Sequence, residues 1–227
     1  MSNAPKFGLN GPQSEAVLYL DGPCLVLAGA GSGKTRVITQ KIAYMIEDRG
    51  YDPRTIAALT FTNKAALEMQ ERIGKLLKQP KQAKQITVST FHSLGVKILR
   101  QEAAGVGLKD KFSIMDSDDC YTIVSDLAVT TDKQEIRRIQ NAISLWKNGL
   151  VDPEDAIRQA KDEDEAQAGR VYRSYVATLQ AYQAVDFDDL IRLPVELFRN
   201  NEPIRDRWQR RLRYLLMDEY QDTNTCQ

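Results

Sequence analysis

The most informative segment of the chain is Ala28-Gly29-Ala30-Gly31-Ser32-Gly33-Lys34-Thr35. It fits the pattern of a phosphate-binding loop, with Ala28 where the strict pattern has glycine. Glycines let the backbone wrap around a phosphate chain with several N–H groups pointing inward. Lys34 can place its charge between the β- and γ-phosphates, and Thr35 can offer a hydroxyl to Mg²⁺. The competing interpretation is a glycine turn with a chance lysine.

The sequence on both sides of this loop favours the phosphate-binding interpretation. The apolar run at residues 24–28 predicts a buried strand before the loop. Apolar side chains at helical spacing predict a helix over residues 33–48, and its positive N-terminus would face the phosphates. Strand, loop and helix in this order are the context in which such a loop binds phosphate.

An acidic pair near the end of the chain, Asp218-Glu219, follows the apolar run at residues 214–217. Such a pair at a strand end completes many nucleotide sites: Asp218 is expected to hold Mg²⁺ through its water shell, and Glu219 to polarise the attacking water. Alone, the pair is a weak signal, because solvated strand ends are common. Hydrolysis normally also needs an arginine at the γ-phosphate, and Arg36 is expected to point away on its helix.

Strands and helices alternate through the first part of the chain. Residues 56–59 and 86–90 predict buried strands, and residues 64–77 predict an amphipathic helix between them. This alternation predicts an α/β fold with a parallel sheet flanked by helices. Residues 92–184 instead show helical patterns almost throughout, with one strand-like stretch at 112–115. We therefore expect an all-helical insertion, followed by helices at 188–199 and 204–211 and a strand at 214–217.

Composition narrows the class of protein. The 227 residues carry 31 Lys and Arg against 31 Asp and Glu, so the net charge is zero. Residues 1–110 hold 15 basic and 9 acidic side chains, a net of +6, so any nucleic-acid contact needs a local patch. Three cysteines and one histidine argue against a zinc site or a disulfide framework and favour a cytoplasmic setting. Residues 1–10 lack the apolar run of a secretory signal, and no transmembrane helix is expected.

Several motifs in register resemble superfamily-one DNA helicases of the UvrD/Rep/PcrA type. Besides the loop, the matching segments are residues 60–66, 89–93, 186–190 and 218–224. The resemblance implies a P-loop NTPase, with a first RecA-like ATP-binding domain at residues 1–91 and 185–227 and a helical insertion at 92–184. It also implies ATP and Mg²⁺ as cofactors, single-stranded and forked DNA as partners, and 3′-to-5′ translocation.

Because members of this family continue well past the acidic pair, the chain is expected to be an N-terminal piece. The further C-terminal domains of the same protein would supply a second RecA-like domain and the arginines that complete the ATP site. The chain by itself is expected to bind ATP–Mg²⁺ and single strands weakly and to turn over little.

The resemblance assigns roles to individual residues. Those at the nucleotide are Gln13, Ala28, Gly29, Ala30, Gly31, Ser32, Gly33, Lys34, Thr35 and Arg36. The catalytic set is Lys34, Asp218, Glu219 and Gln221, and Thr35 and Asp218 hold the metal. Those at DNA are Thr60, Phe61, Asn63, Thr90, Phe91 and His92. From the residues alone, a helix cap is the favoured role of Gln13 and a structural role that of His92, whereas Phe61 is as well explained as a core side chain.

Two charged groups leave alternatives open. Six basic residues lie between the second and third predicted strands and form either a DNA-binding patch or a solvated face: Lys64, Arg72, Lys75, Lys78, Lys81 and Lys84. Asp186, Asp188 and Asp189 could indicate a nuclease metal site, but a structural role at a helix start is preferred. Two other functions stay open: a truncated nucleotide-binding regulatory module, and a different P-loop enzyme such as a small-molecule kinase.

Overall fold

The computed structural model describes residues 8–227. Residues 1–7, where no secretory signal is expected, lie outside the described residues. The strands are β1 (Ile56–Thr60), β2 (Thr87–Thr90), β3 (Ser113–Ile114), β4 (Ala184–Val185) and β5 (Tyr214–Met217). The helices are α1 (Gly11–Leu18), α2 (Lys34–Glu47), α3 (Asn63–Leu76), α4 (Phe91–Glu102), α5 (Ser117–Ala128), α6 (Lys133–Asn148), α7 (Pro153–Arg158), α8 (Glu163–Ala181), α9 (Asp189–Asn200) and α10 (Glu202–Arg211).

The described residues pack into two compact units. The first contains residues 8–90 and 206–221, and the second contains residues 91–205 and 222–227. Residues 185–205 and 222–227 thus pack with the helices, although the sequence groups them with the ATP-binding domain. The reason is that α9 buries Leu190 in the same apolar cluster as Leu99 of α4. The domain division at residues 92 and 184 stays a prediction.

A three-stranded parallel sheet forms the centre of the first unit. The strand order is β2-β1-β5, and Ala58 is in register with Val88 on one side and Leu216 on the other. All five residues of β1 are buried, as expected for the central strand of a parallel sheet. Helices α2 and α3 cover the sheet with apolar side chains such as Ile42, Met69 and Ile73. The predicted parallel α/β arrangement is confirmed.

The strand predicted at residues 24–28 is wrong. Residues 21–30 are exposed and outside any strand, and the exposed fractions of Leu25, Val26 and Leu27 are 65%, 45% and 87%. A strand exists only when a neighbour supplies its hydrogen-bond partners. Within residues 8–227 no strand pairs with this run, so its apolar character does not produce a strand.

The second unit is built mainly from α4 to α9. Helix α6 buries Ile136, Ile139 and Ile143 against the long helix α8, which contributes Tyr172 and Tyr175. The spacing of three and four residues puts each set on one helix face. The helical patterns predicted within residues 92–184 are confirmed, and the helices predicted at 188–199 and 204–211 are found as α9 and α10 with ends shifted by at most two residues.

The strand-like stretch at residues 112–115 does form a short strand, β3, and a second short strand, β4, was not expected from the sequence. Strand β3 pairs in parallel with β4, so that Ser113 faces Ala184 and Ile114 faces Val185. The expectation of an all-helical insertion is therefore corrected: two short strands join the segments that precede α5 and α9. Within residues 8–227, no helix combines the length and apolar character needed to cross a membrane.

Candidate functional site

The glycine-rich loop ends in a left-handed turn that opens helix α2. Gly31 and Gly33 have φ angles of 74° and 85°, a region that residues with a Cβ rarely adopt. Gly33 is the N-cap of α2, and no side chain caps it. The first N–H groups of α2 therefore face outward beside Lys34 and Thr35, an arrangement that favours an anion.

The acidic pair lies directly against this loop. Strand β5 ends at Met217, and the N–H of Asp218 donates to the carbonyl of Leu59 at 3.0 Å. The hydroxyl of Thr35 donates to Oδ2 of Asp218 at 3.1 Å, and Nζ of Lys34 lies 3.6 Å from Oε1 of Glu219. Residues 183 positions apart in sequence are thus brought together, in the pairing that the two motifs predict.

Glu219 adopts an unusual backbone conformation. Its φ angle is 52°, in the left-handed region, which costs about 1–3 kcal/mol for a residue with a side chain. Its N–H donates to Oδ1 of Asp218 at 3.1 Å, and Nε2 of Gln221 donates to its Oε2 at 2.6 Å. These bonds hold the Glu219 carboxylate between Lys34 and Gln221.

The oxygen atoms at this point fit a magnesium ion. Mg²⁺ takes oxygen ligands, carboxylates among them, and keeps several of its own waters. The Thr35 hydroxyl and the Asp218 carboxylate oxygen are 3.1 Å apart, and both side chains are partly exposed. The residues present therefore suit this ion.

Gln13 lies beside the loop and also caps a helix. With Asn10 it forms a capping box at the start of α1, and its Oε1 accepts from the N–H of Asn10 at 3.1 Å. Its Nε2 donates to the carbonyl of Ser32 at 2.8 Å. The capping role expected from the residues alone is confirmed, and the same side chain touches the loop. The sequence analysis did not predict α1, although the Asn-x-x-Gln spacing is a helix-start signal.

Arg36 lies in the first turn of α2, next to the loop. Its Nη2 donates to the carbonyl of Gly8 at 3.2 Å, and the side chain is exposed. This contact is with the start of the described chain, consistent with the expectation that Arg36 points away from the site of phosphate chemistry.

The first unit holds four of the residues assigned to DNA. Thr60 and Thr90 are the last residues of β1 and β2, they are paired in register, and both are buried. Phe61 follows β1 with 37% of its surface exposed, so the alternative of a core phenylalanine is not supported. Asn63 is the exposed first residue of α3, which Thr62 caps. These four residues lie where open α/β sheets bind ligands, at the carboxyl ends of strands.

The second unit holds the other two, at the start of α4. Phe91 is buried, whereas His92 is partly exposed and its ring lies 5.5 Å from that of Phe187. Burial lowers the pKa of His92 below its usual value of 6.5, and the nearby charge of Asp188 opposes this. Phe187 is 57% exposed. The sequence analysis did not select it, although an aromatic residue between Asp186 and Asp188 was a signal.

The aspartates around α9 belong to a buried ion-pair network. Nζ of Lys147 lies 2.6 Å from Oδ2 of Asp186 and 3.0 Å from Oδ2 of Asp189. Asp186 also accepts from the N–H of Asp189 at 2.9 Å, in the first turn of α9, and Arg192 pairs with Asp189 at 3.1 Å. This confirms the structural role preferred from sequence. Within residues 8–227, no three His, Cys, Asp or Glu side chains come together in a group that could hold a metal ion.

The pKa values of Asp186 and Asp189 shift in opposite directions. Burial and the charge of Asp189 raise the pKa of Asp186, despite its contact with Lys147. Burial also acts to raise the pKa of Asp189, but attraction to Lys147 and Arg192 outweighs it and keeps that pKa below its usual value. The fully buried Lys147, which no sequence motif indicated, is therefore the centre of the network.

Comparisons with known proteins agree with these arrangements. The family model of the UvrD/REP helicase N-terminal domain matches residues 9–227. The chain is 49% identical over 222 residues to the ATP-dependent DNA helicase Rep of Escherichia coli K12 and to that of Salmonella typhimurium LT2, which covers 96% of this chain and 33% of each relative. It is 44% identical to the ATP-dependent DNA helicase PcrA of Leuconostoc citreum, over 97% of this chain and 30% of that protein. The chain thus spans about a third of the length of these relatives.

Proposed function

The chain belongs to the UvrD/REP helicase family, and we propose that it forms the first ATP-binding part of an ATP-dependent DNA helicase that moves 3′ to 5′ along single strands and unwinds forked DNA. The observation that carries this proposal is the meeting of the loop and the acidic pair, with Thr35 3.1 Å from Asp218 and Lys34 3.6 Å from Glu219. The first unit is then a RecA-like P-loop domain, working in the cytoplasm.

The proposal assigns the following roles to the loop residues. The turn through residues 28–33 and the first N–H groups of α2 bind the phosphate chain of ATP, and Lys34 neutralises its charge. Thr35 and Asp218 hold Mg²⁺, which supplies a Lewis acid for the phosphoryl oxygens when it is bound. Gln13, whose Nε2 donates to the carbonyl of Ser32, contacts the adenine ring in this proposal. Arg36 lies at the outer side of the start of α2.

Lys34 and Glu219 change partners when a nucleotide binds. Without ATP, Lys34 lies against Glu219; with ATP, its ammonium group is attracted to the phosphates instead. This releases the Glu219 carboxylate to accept a proton from the attacking water. Gln221, which donates to Glu219 at 2.6 Å, detects this change and holds the carboxylate in orientation.

Single-stranded DNA binds to the residues that follow β1 and β2. Phe61 offers an exposed ring on which a DNA base can stack. Thr60, Asn63 and Thr90 position the DNA backbone around this ring. In the second unit, the partly exposed His92 is a separate contact for DNA, whereas the buried Phe91 exposes too little of its ring to stack on a base. The remaining C-terminal domains supply the second RecA-like domain, so that the chain alone binds ATP–Mg²⁺ and single strands weakly and hydrolyses little ATP.

Nucleotide binding by the 227-residue chain tests this proposal. We expect a fluorescent ATP analogue to bind in the presence of Mg²⁺, and the Lys34→Ala variant to bind at least tenfold more weakly. The matched control is Lys133→Ala, which removes an exposed lysine at the start of α6 and should bind normally. Equal affinity of the wild type and Lys34→Ala for the ATP analogue would contradict the proposed nucleotide site. Nucleotide affinity that does not respond to single-stranded DNA in the full-length protein would instead favour a small-molecule kinase.

A further inference from the structure

We propose that the amino-terminal edge of the sheet in the first unit is a second nucleic-acid surface, which docks the phosphate backbone of duplex DNA. This surface, called the cationic edge below, consists of Lys75, Lys78, Lys81, Lys84, Arg210 and Arg213. This proposal goes beyond the proposed function and rests on it in one respect only: the polyanion is taken to be DNA.

Topology collects these residues at one edge. Strands β1, β2 and β5 are parallel, so the residues that precede them lie at the same end of the sheet. Arg213 directly precedes β5, and Lys84 lies three residues before β2. Helix α3 starts at the carboxyl end of β1 and runs back, which brings Lys75, in its last turn, to the amino end.

The turns at this edge form a continuous surface. The 3₁₀ segments Pro53–Thr55, before β1, and Pro80–Gln85, before β2, contact each other. The rings of Tyr51 and Tyr214 stack with their centroids 4.4 Å apart, which joins the turn before β1 to the start of β5. The lysines and the arginines therefore flank one packed edge.

The lysines occur at every third position, and all four are exposed. Lys81 and Lys84 lie in the 3₁₀ segment, where side chains three residues apart share one face. Lys78 lies 3.6 Å from Glu47 but keeps 81% of its side chain exposed, so this ion pair contributes little. Lys75, Lys81 and Lys84 make no ion pair with any residue in the range 8–227. Residues 75–85 contain no acidic side chain.

The arginines line a shallow depression at the other end of the edge. Its volume is about 300 Å³, and its walls are Arg210, Arg213, Gln209 and Asp206. Both arginines are exposed, whereas Asp206 is partly buried. Two guanidinium groups and an amide around an open depression offer the planar, multiple donors that phosphate groups accept.

The chemistry of the edge favours a phosphate backbone over an acidic protein. Protein interfaces depend on apolar and aromatic anchors, and Leu76 is the one large apolar side chain exposed within residues 75–85. A phosphate backbone requires only cations at suitable spacing, and duplex DNA carries one phosphate per about 3.4 Å along each strand. The four exposed lysines therefore meet a closely spaced row of negative charges.

The cationic edge is also separate from the residues proposed to bind the single strand. Those residues follow β1 and β2 at the carboxyl edge, and the 14 residues of α3 span about 21 Å between the two edges. Lys64, at the start of α3, belongs to the carboxyl edge. The six basic residues that the sequence suggested as one patch are thus divided between opposite ends of the unit.

Duplex binding by the 227-residue chain tests the proposal. The probe is a labelled, blunt 20-base-pair DNA followed by fluorescence anisotropy between 50 and 200 mM salt. We expect the triple variant Lys75→Gln, Lys81→Gln, Lys84→Gln to bind at least tenfold more weakly at 50 mM salt. For this variant, the plot of log association constant against log salt concentration should become less steep by about 2.7, because each of the three lost phosphate contacts contributes about 0.9. The variant Arg210→Gln, Arg213→Gln should also weaken binding.

The matched control removes three exposed lysines elsewhere, as Lys109→Gln, Lys111→Gln, Lys133→Gln. Equal losses in both triple variants would mean that net charge alone matters, and no duplex binding by the wild type at 50 mM salt would overturn the proposal outright. Loss of poly-glutamate binding without loss of duplex binding would assign the edge to an acidic protein instead. The triple variant Lys75→Gln, Lys81→Gln, Lys84→Gln should still bind the fluorescent ATP analogue, because these lysines lie outside the nucleotide site, so failure of this proposal is distinguishable from failure of the proposed function.

Discussion

Lys34 and Glu219 form an ion pair whose location in the site matters more than its strength. Their side chains are 27% and 42% exposed and 3.6 Å apart, so the pair adds little to folding stability. In the proposed nucleotide site, the Glu219 carboxylate competes with the phosphates for the Lys34 ammonium group. On that proposal, Glu219, which has a strained backbone conformation, sets both the affinity of the site and its chemistry.

The Glu219→Gln variant separates these two effects. We expect it to bind the ATP analogue about two- to fivefold more tightly in the 227-residue chain, because Lys34 is released and one negative charge is removed. In the full-length protein, hydrolysis should be lost with the general base. Equilibrium titration measures the affinity, with Glu154→Gln, an exposed glutamate in α7, as the control. Weaker binding by Glu219→Gln would show that the carboxylate supports the nucleotide.

His92 gives the chain a specific response to pH. It is the only histidine in the sequence, and burial lowers its pKa below 6.5 in the folded chain. The unfolded chain therefore binds more protons, so stability is fully present above pH 6.5 and falls as the pH drops through the range below it. The NMR titration of the single imidazole should have a midpoint below 6.5 when folded and near 6.5 in urea.

The His92→Gln variant is the control for this response. It should lose less stability than the wild type between pH 7.5 and 5.5 in urea unfolding. A folded-state midpoint above 6.5 would mean that the charge of Asp188 outweighs burial.

Helices α4 and α9 meet at a point where neither has a side chain in the way. A Cβ on Gly95 would lie 1.8 Å from the carbonyl oxygen of Leu190. Pro194, inside α9, has no N–H to donate to that carbonyl four residues earlier. The Cα–H of Gly95 is thus directed at a carbonyl that the proline leaves without its usual helical donor. The two residues together explain why these helices pack so closely.

Gly95→Ala tests this close packing. The added methyl group must separate the helices, and we expect the free energy of unfolding to fall by about 3 kcal/mol, the upper end for overpacked cores. Gly74→Ala, in α3, is the matched control: its Cβ would lie 3.6 Å from that of Ala83, an ordinary contact. It should stabilise by about 0.5–1 kcal/mol. Urea unfolding of both variants measures the difference, and similar values would contradict the proposed contact.

Elements with their own periodic pattern were predictable from sequence. Strand β5 was predicted with its observed bounds, and helices α2 and α3 to within one residue at each end, because their apolar spacing is set locally. Helix α1 lacks such a pattern, since it buries only Val17 among its eight residues. The two-residue strands β3 and β4 are too short for alternation to identify β4, and their pairing depends on contacts distant in sequence.

At the scale of the whole molecule, the contacts between sequence motifs were predictable, whereas the contacts that depend on tertiary packing were not. The approach of Thr35 to Asp218 followed from two motifs that require each other. The buried position of Lys147 and the second aromatic ring beside His92 depend on tertiary contacts that no local pattern encodes. The division into two units depends likewise on the face that α9 buries, which the sequence of α9 does not specify.

The exposed run before the loop determines how the chain behaves at high concentration. Leu25, Val26 and Leu27 form a contiguous apolar stretch with high strand propensity. Among the described strands, β5 pairs only with β1, and its Leu215 is 55% exposed. An unpaired apolar run and an open sheet edge are the two features that promote association between chains.

We therefore expect the 227-residue chain to self-associate as its concentration rises, and Leu27→Lys to reduce this association severalfold by placing a charge in the run. Light scattering coupled to size-exclusion chromatography at two concentrations measures the effect. Leu145→Lys, at a leucine of α6 that is 73% exposed, adds the same charge outside the run and should leave the association unchanged. Equal association of Leu27→Lys and the wild type would locate the contact elsewhere. Nucleotide binding by Leu27→Lys should persist, because position 27 precedes the loop and its side chain points into solvent.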